Sequence, residues 1–274
     1  VGAEVKENTV LKIGFICPVY NATVFASYTQ KALKSFFDTT PNGVAIVVND
    51  GSAGWSDDYE QSLLKLADSY PIISLYILKF HTAGGLTRSW NAGLAKATEL
   101  NLDYAIAGNN DIIFSKGWHE GMTQALANGY SLVGPISNAP GVTAKGKQNV
   151  ELYIPNYQLT DNLTDINKVA TQLQQMQFNK TLESKVNGFF IMATLKSWEN
   201  GKFDEHHFFK PKNKYSSKGK FNPTPLMTLN EDELQERWAK KGMKSGIALS
   251  TFIFHYRSVS RGDKHKKGKW YRQP

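Results

Sequence analysis

Residues 44–52 read Val-Ala-Ile-Val-Val-Asn-Asp-Gly-Ser, an apolar run that stops on an acid and a turn. Five consecutive apolar residues, mostly β-branched, are too few for a helix and show no polar alternation. That is the pattern of a strand buried on both faces, as in a parallel sheet covered by helices. The neighbouring segments fit the same frame. Residues 11–18 (LKIGFICP), 72–79 and 103–107 read as further buried strands. Residues 25–37, 57–69, 87–100 and 118–128 have the spacing of amphipathic helices, and 131–133 reads as a short strand. The β-α-β-α-β-α-β alternation predicts an α/β fold whose ligands bind beyond the carboxyl ends of the strands.

The second half is less regular. Residues 135–155, rich in Gly, Pro and Asn, read as a long loop, and 165–178 as a helix. Residues 186–194 read as a strand, 206–226 as a basic excursion, 231–241 as a helix with acidic residues at its start, and 247–255 as a last strand.

Composition narrows the class. The chain has 274 residues, 41% of them hydrophobic and 12% aromatic, and no linker or repeat divides it. One globular domain over residues 1–274 is expected, with a binding half at 8–118, a second half at 119–260 and a basic tail at 261–274. No apolar run approaches the roughly 20 residues of a membrane span. The start, Val1–Val5, lacks an initiator Met and a signal-peptide pattern, as a processed end or an excised piece would. The single cysteine, Cys17, lies in an apolar run and reads as core. A chain without an internal disulfide fits a reducing compartment, and a cytoplasmic location is expected. Arg257, Arg261, Lys264, Lys266, Lys267, Lys269 and Arg272 stand against Asp263, so the end of the chain supplies +6 of the net charge of +8. Such an end suits a solvated tail, a diphosphate clamp, peripheral contact with anionic lipid, or nucleic acid.

The acids punctuate strand ends. Asn49-Asp50-Gly51-Ser52, Asn109-Asn110-Asp111 and Glu231-Asp232 each follow an apolar run, and His255 follows the run 247–254. Each has a plain alternative: turn chemistry for the first two, a stabilised helix start for the third, a structural histidine for the last. Carboxylates gathered at one sheet edge suit a divalent metal and a phosphorylated ligand.

Together these segments resemble family-2-like glycosyltransferases of the GT-A fold. The likeness is strongest over residues 12–118 and 186–260. It rests on Cys17-Pro18-Val19-Tyr20-Asn21, on Val47-Val48-Asn49-Asp50-Gly51-Ser52, and on His81–Gly93 with its Asn91-Ala92-Gly93. The resemblance implies a Rossmann-like three-layer sandwich with a mostly parallel central sheet. It implies a nucleotide-sugar site of Pro18, Tyr20, Asn21, Asp50, Gly85, Arg88, Asn91, Asn109, Asn110, Arg257 and Arg261. Tyr20 would lie on the base or ribose and Asp50 would accept from either; Arg88, two residues before Trp90 rather than directly before Asn91, would reach the diphosphate. Asp111, in an Asp-x-Asp position whose first acid is Asn109, and the late His255 would bind Mn²⁺ or Mg²⁺. Gly188, Phe189 and Phe190 would form the acceptor strand.

Asp232 is the first choice for the catalytic base, with Glu231 second and Glu233 third. The implied activity is inverting transfer from a UDP-, GDP- or dTDP-linked sugar to an acceptor hydroxyl, in glycan or polysaccharide synthesis. A DNA-base glucosyltransferase of a phage type, a nucleotidyltransferase and a non-catalytic nucleotide-sugar-binding module stand as alternatives. His206-His207 reads as loop, since no cysteines lie nearby to complete a zinc site.

Overall fold

The computed structural model describes residues 11–140, 146–205 and 230–256. Strand β1 (Ile13–Asn21) pairs in parallel with β2 (Val44–Ala53), setting Cys17 beside Val47 and Val19 beside Asn49. Strand β3 (Ser74–Phe80) extends the sheet beyond β2, and β4 (Tyr104–Gly108) lies on the other side of β1, both in parallel. Helices α1 (Ala22–Thr39), α2 (Asp57–Asp68) and α3 (Leu86–Glu99) make the crossovers. After β4 come β5 (Ile112–Phe114), α4 (Trp118–Ala127), β6 (Leu132–Ile136), a 3-10 turn at Val150–Leu152 and α5 (Leu163–Gln177). The chain then forms β7 (Thr181–Glu183), β8 (Phe190–Thr194), α6 (Leu195–Trp198), α7 (Asn230–Ala239) and β9 (Ser245–His255).

The strand order is β3-β2-β1-β4-β8-β6-β9-β5, with β7 paired to β9. Strand β8 is antiparallel to β4 and β6, while β6 and β9 are parallel. The sheet is therefore mostly parallel, with β5, β7 and β8 reversed among the described strands.

Side-chain alternation splits the core into two layers. From β1 and β2, Phe15, Cys17, Ala45 and Val47 join one layer with α1, α2 and α4, through residues such as Leu33, Phe36, Leu63 and Trp118. Ile16, Ile46 and Val48 join the other with α3, α5, α6 and α7, through Trp90, Leu173, Trp198 and Trp238. Both faces are covered, which is why these strands are continuously apolar. Each fully buried large side chain contributes about 1.5–3 kcal/mol. The helices start on local caps: Asn21 accepts from the Val24 N–H, and Ser56 from the Tyr59 N–H. The first turn of α2 also carries Asp57, Asp58 and Glu60 at the positive end of its dipole.

Two expectations change. The ladder expected over 186–194 begins only at Phe190, because the Val186 N–H and carbonyl are both taken by the Gln235 side chain and the Asn187 N–H by Gln148. The expected loop 135–155 is pinned inside by a bridge between Ser137 and Asn149, and by the buried Gln148 amide donating to the Pro135 carbonyl. The short elements β5, β7 and α6 were not legible from periodicity. The 206–226 excursion, His206, His207, Arg257, Arg261 and the rest of the basic tail lie outside the described residues.

Candidate active site

The carboxyl edge of β1, β2 and β4 carries the first residues of the site. Asp50 ends the pairing of β2 with β3, opposite Phe80, and is buried. One of its oxygens accepts the Gly84 N–H at 3.0 Å and a donor from the Arg88 guanidinium; the other accepts the Gly85 N–H at 2.8 Å. Arg88 also donates to the Thr82 carbonyl at 2.5 Å and lies over the Phe80 ring, 4.0 Å from its centroid. Gly85 takes φ +93° to open α3, a left-handed conformation that favours glycine. Arg88 is thus the partner of Asp50 and braces the 82–85 loop.

Next along the edge, the antiparallel pairing of β5 with β9 sets Ile112 opposite His255, and the Tyr256 N–H donates to the Asp111 carbonyl at 2.9 Å. The ladder itself therefore brings Asp111 to His255. The imidazole Nε2 lies 3.3 Å from Asp111 Oδ1 and 3.3 Å from Asn109 Nδ2. The other ring nitrogen, Nδ1, faces the Ala139 carbonyl at 2.8 Å and donates to it. Asn138 brackets the His255 backbone, accepting its N–H at 2.9 Å and donating to its carbonyl at 3.1 Å. Phe189 stacks on the imidazole at 4.9 Å between centroids and 14° between planes.

With the Nδ1 proton committed to a carbonyl, the Nε2 lone pair is left to accept from the Asn109 amide and also lies 3.3 Å from a carboxylate oxygen of Asp111. Two acceptors at this distance call for a proton or a cation between them. The site therefore fits a divalent metal on Asp111 and His255, with Asn109 beside them. Among the described residues no group of three His, Cys, Asp or Glu forms, in keeping with an amide at position 109. Cys17 lies in the core beneath. Burial, and after it the charge of Asp111, pushes its thiol far up, so it is no nucleophile.

On the far side, α7 starts with Asn230, whose amide donates to the Thr87 hydroxyl at 3.2 Å. The start of the acidic helix is so tied to the start of α3, two residues beyond Gly85. Glu231 lies over Gly188: a Cβ there would come within 2.8 Å of the Glu231 carboxyl carbon. Asp232 faces elsewhere, with an oxygen 3.6 Å from Lys185 Nζ, which also bonds Glu236 at 2.7 Å. Glu233 is held by Arg237 at 2.7 and 3.0 Å. Gln235 bolts the helix down: it accepts the Val186 N–H at 2.8 Å and donates to the Val186 and Glu231 carbonyls, each at 2.9 Å.

Contacts thus run without a break from Asp50 through Gly85, Thr87, Asn230, Glu231, Gly188, Phe189 and His255 to Asp111. Other candidates point away from this arc. Asn91 pins the 203–205 segment through Phe203 and Glu205. Asn110 donates to the buried Thr29 hydroxyl under α1. Phe190 is in the core against Phe114 and Trp118, Pro18 is buried in β1, and Asn21 caps α1. Tyr20 is 58% exposed at the end of β1. Sequence reasoning passed over Gln148, Asn138 and Gln235; a lone amide in an apolar segment carries no periodic signal.

The family model for Glycosyl transferase family 2 matches residues 15–192. Among solved structures, GalNAc-T7 with UDP, GalNAc and Mn²⁺ aligns with a TM-score of 0.57 at 11% identity, over 91% of this chain and 44% of that one. The mannosyltransferase PcManGT from Pyrobaculum calidifontis, in complex with GDP-Man and Mn²⁺, aligns with a TM-score of 0.51 at 12% identity, over 91% of this chain and 59% of that one. The chain thus spans about half the length of these structural relatives, and at such identities the likeness shows the GT-A fold alone. No curated protein matches by sequence.

Proposed function

Because the chain belongs to glycosyl transferase family 2, we propose that it moves a sugar from a nucleotide-diphosphate donor to an acceptor hydroxyl, with Glu231 rather than Asp232 as general base. The observation that carries this reading is the unbroken arc from Asp50 to Asp111, at the sheet edge where ligands of parallel α/β folds bind. Of the carboxylates on that arc, Glu231 is the one set against the turn at Gly188, where a Cβ would come within 2.8 Å of its carboxyl carbon, while Asp50 is bonded to the Gly84 and Gly85 N–H groups and Asp111 lies beside His255. Asp232, in an ion pair with Lys185, is less suited to take a proton.

The donor would lie along the edge of β1, β2 and β4, with Tyr20 under the base and the diphosphate beside Asp111 and His255. These two residues would hold Mn²⁺ or Mg²⁺, with the Asn109 amide oxygen as a third ligand after rotation of the amide. Both solved relatives are described with Mn²⁺ and a nucleotide or nucleotide sugar. A bound metal would neutralise charge on the diphosphate leaving group. Glu231 would accept the acceptor hydroxyl's proton as that oxygen bonds the anomeric carbon. The bond from this carbon to the phosphate oxygen breaks, and its electron pair leaves on the diphosphate. Attack opposite the leaving group inverts the anomeric centre. Burial of Phe189 against His255 leaves it to orient the imidazole rather than to stack on a sugar.

The test is a pair of variants. Glu231→Gln should lower kcat by roughly 10²–10⁴, the worth of general-base assistance, while UDP or GDP with Mn²⁺ still raises the melting temperature by mass action. Asp232→Asn should cost far less. The reverse ranking would return the base to Asp232.

A further inference from the structure

Strand β3 ends the sheet and differs from the strands inside it. Among the described strands it pairs with β2 alone. Most residues of β1 and β4 are buried, whereas Leu75, Tyr76, Ile77, Leu78 and Phe80 of β3 are only half-buried. Ile72, just before the strand, is 62% exposed. The Ser74 N–H donates to the Gly43 carbonyl at 3.3 Å. Bonding alternates along a parallel strand, so Ser74, Tyr76, Leu78 and Phe80 turn their backbone groups to β2. Leu75, Ile77 and Lys79 turn theirs to the open edge.

Natural edge strands are usually blunted by proline, by a bulge or by charge. This one has no proline, and its register with β2 runs without a shift from Ser74 to Phe80. Its one charged residue, Lys79, stands near the end of the strand and is bonded to Glu60 at 3.1 and 3.2 Å. A flat, apolar strand with unpaired backbone groups is a template for another strand.

We infer that β3 pairs antiparallel with β3 of a second copy of this chain, about a two-fold axis at Ile77, joining two sheets into one. The edge is complementary to itself in that register. Ile77 faces its own equivalent, and Leu75 faces Lys79 of the second copy, so every backbone group turned outward finds a partner. The three facing pairs exchange about six hydrogen bonds, within the ordinary interface count of about 10 ± 5. Side chains match as well: Ile77 meets Ile77 on the α2 side, and Tyr76 meets Leu78 on the α3 side. The charges do not oppose the pairing. Lys79 faces a leucine, and the two Lys79 positions lie roughly 14 Å apart along the strand, beyond the Debye length of about 8 Å at physiological salt.

Light scattering of the full chain over about 1–100 μM tests this. The mass should rise from one chain toward two across that range. Ile77→Lys sets two like charges face to face on the axis and should weaken association at least about tenfold; an equal mixture of Ile77→Lys and Ile77→Asp should restore it. Ile77→Cys should cross-link copy to copy under mild oxidation, since facing hydrogen-bonded residues stand about 5.5 Å apart at Cα, within disulfide range. Ser74→Cys, roughly 20 Å from its equivalent, should not. The native Cys17 is buried and takes no part. A single-chain mass at about 100 μM, as when another segment of the chain covers the edge, overturns the proposal. So does association that Ile77→Lys leaves unchanged, or equal cross-linking from both positions. Should Ile77→Lys fail to fold, the two cysteine variants decide alone.

Discussion

Asp111 meets His255 because two strands pair, whereas Glu231 meets Gly188 because side-chain amides bridge a helix to a turn without a ladder. On the proposed donor side, position comes from backbone. The β1–β2 and β2–β3 ladders carry Asp50 to the edge, and two loop N–H groups hold it there. On the proposed acceptor side, residues 186–189 lie outside any strand and depend on Gln235 and Gln148. A ladder spreads the task over many bonds, so single substitutions seldom shift it. An amide bridge concentrates it in one residue. The donor side should therefore fail by losing stability, and the acceptor side by losing rate with stability largely kept.

The largest effect should come from Asp50→Asn. It strips Arg88 of its charged partner and turns an amide donor or a weaker acceptor toward two N–H groups. Leaving one member of a largely buried pair behind costs about 3 kcal/mol, at the low end for such pairs because Arg88 retains some exposure. At roughly 2–4 °C per kcal/mol for a chain of this size, the melting temperature should fall by about 10 °C. A fall of a degree or two would show that the 82–85 loop does not rely on this carboxylate.

Next is Gln235→Leu. Leu keeps an apolar side chain at the site but releases Val186 and the Glu231 carbonyl. Misplacement of a reacting group by about 1 Å can cost on the order of 10²-fold in rate. The drop should appear in kcat, with the KM for donor unchanged and the UDP-induced thermal shift retained. Equal damage to donor binding would mean that the two sides are not separately held. Gly188→Ala is milder: the added methyl pushes the flexible end of Glu231 aside. We expect about tenfold lower kcat, and Glu231→Asp combined with Gly188→Ala should recover part of it by withdrawing the carboxylate. No recovery would place the strain in the backbone instead.

Much of the donor side could be read from the chain because it is made of regular strands. Residues 44–50 announce a buried parallel strand with an acid at its end, and β2 ends its pairing with β3 at Asp50. The link between Asp111 and His255 was available as residue types but not as geometry. The strand that joins them, β5, has three residues, too few to show a period. Arg88 read as a phosphate ligand, because a basic residue near a glycine loop gives no sign of facing inward to a carboxylate 38 positions earlier. The acceptor side was hardest. Asn230, Glu231, Asp232 and Glu233 open one helix, and their order alone cannot say which faces the site. Long-range contacts tell these residues apart: Thr87 with Asn230, Gly188 against Glu231, Lys185 with Asp232 and Val186 with Gln235.

The smallest effect concerns how β9 is held just past His255. Tyr256 donates to Asp161 at 2.8 Å, and Lys31 of α1 donates to Asp161 at 2.9 Å and to the Tyr256 hydroxyl at 3.1 Å. Burial by itself would raise the Asp161 carboxyl, but the bonds from Lys31 and Tyr256 outweigh it and hold the group below its ordinary value of 3.8. A carboxylate with a depressed folded value adds stability above its unfolded value and loses it as pH falls through the folded one. The cluster is partly exposed, so the gain is at most about 1 kcal/mol and is screened by salt. Melting temperatures of the wild type and Asp161→Asn should differ by a few degrees or less near neutral pH and converge in acid, as pH falls below 3.8 and through the folded value. His255 ends the same strand, so Asp161→Asn should also slightly weaken the Mn²⁺-dependent stabilisation by UDP expected of the proposed metal site. A variant that matches the wild type at every pH would mean that the β5–β9 ladder holds this end without help from α1, and would sharpen the contrast between the ladder-built and amide-built sides.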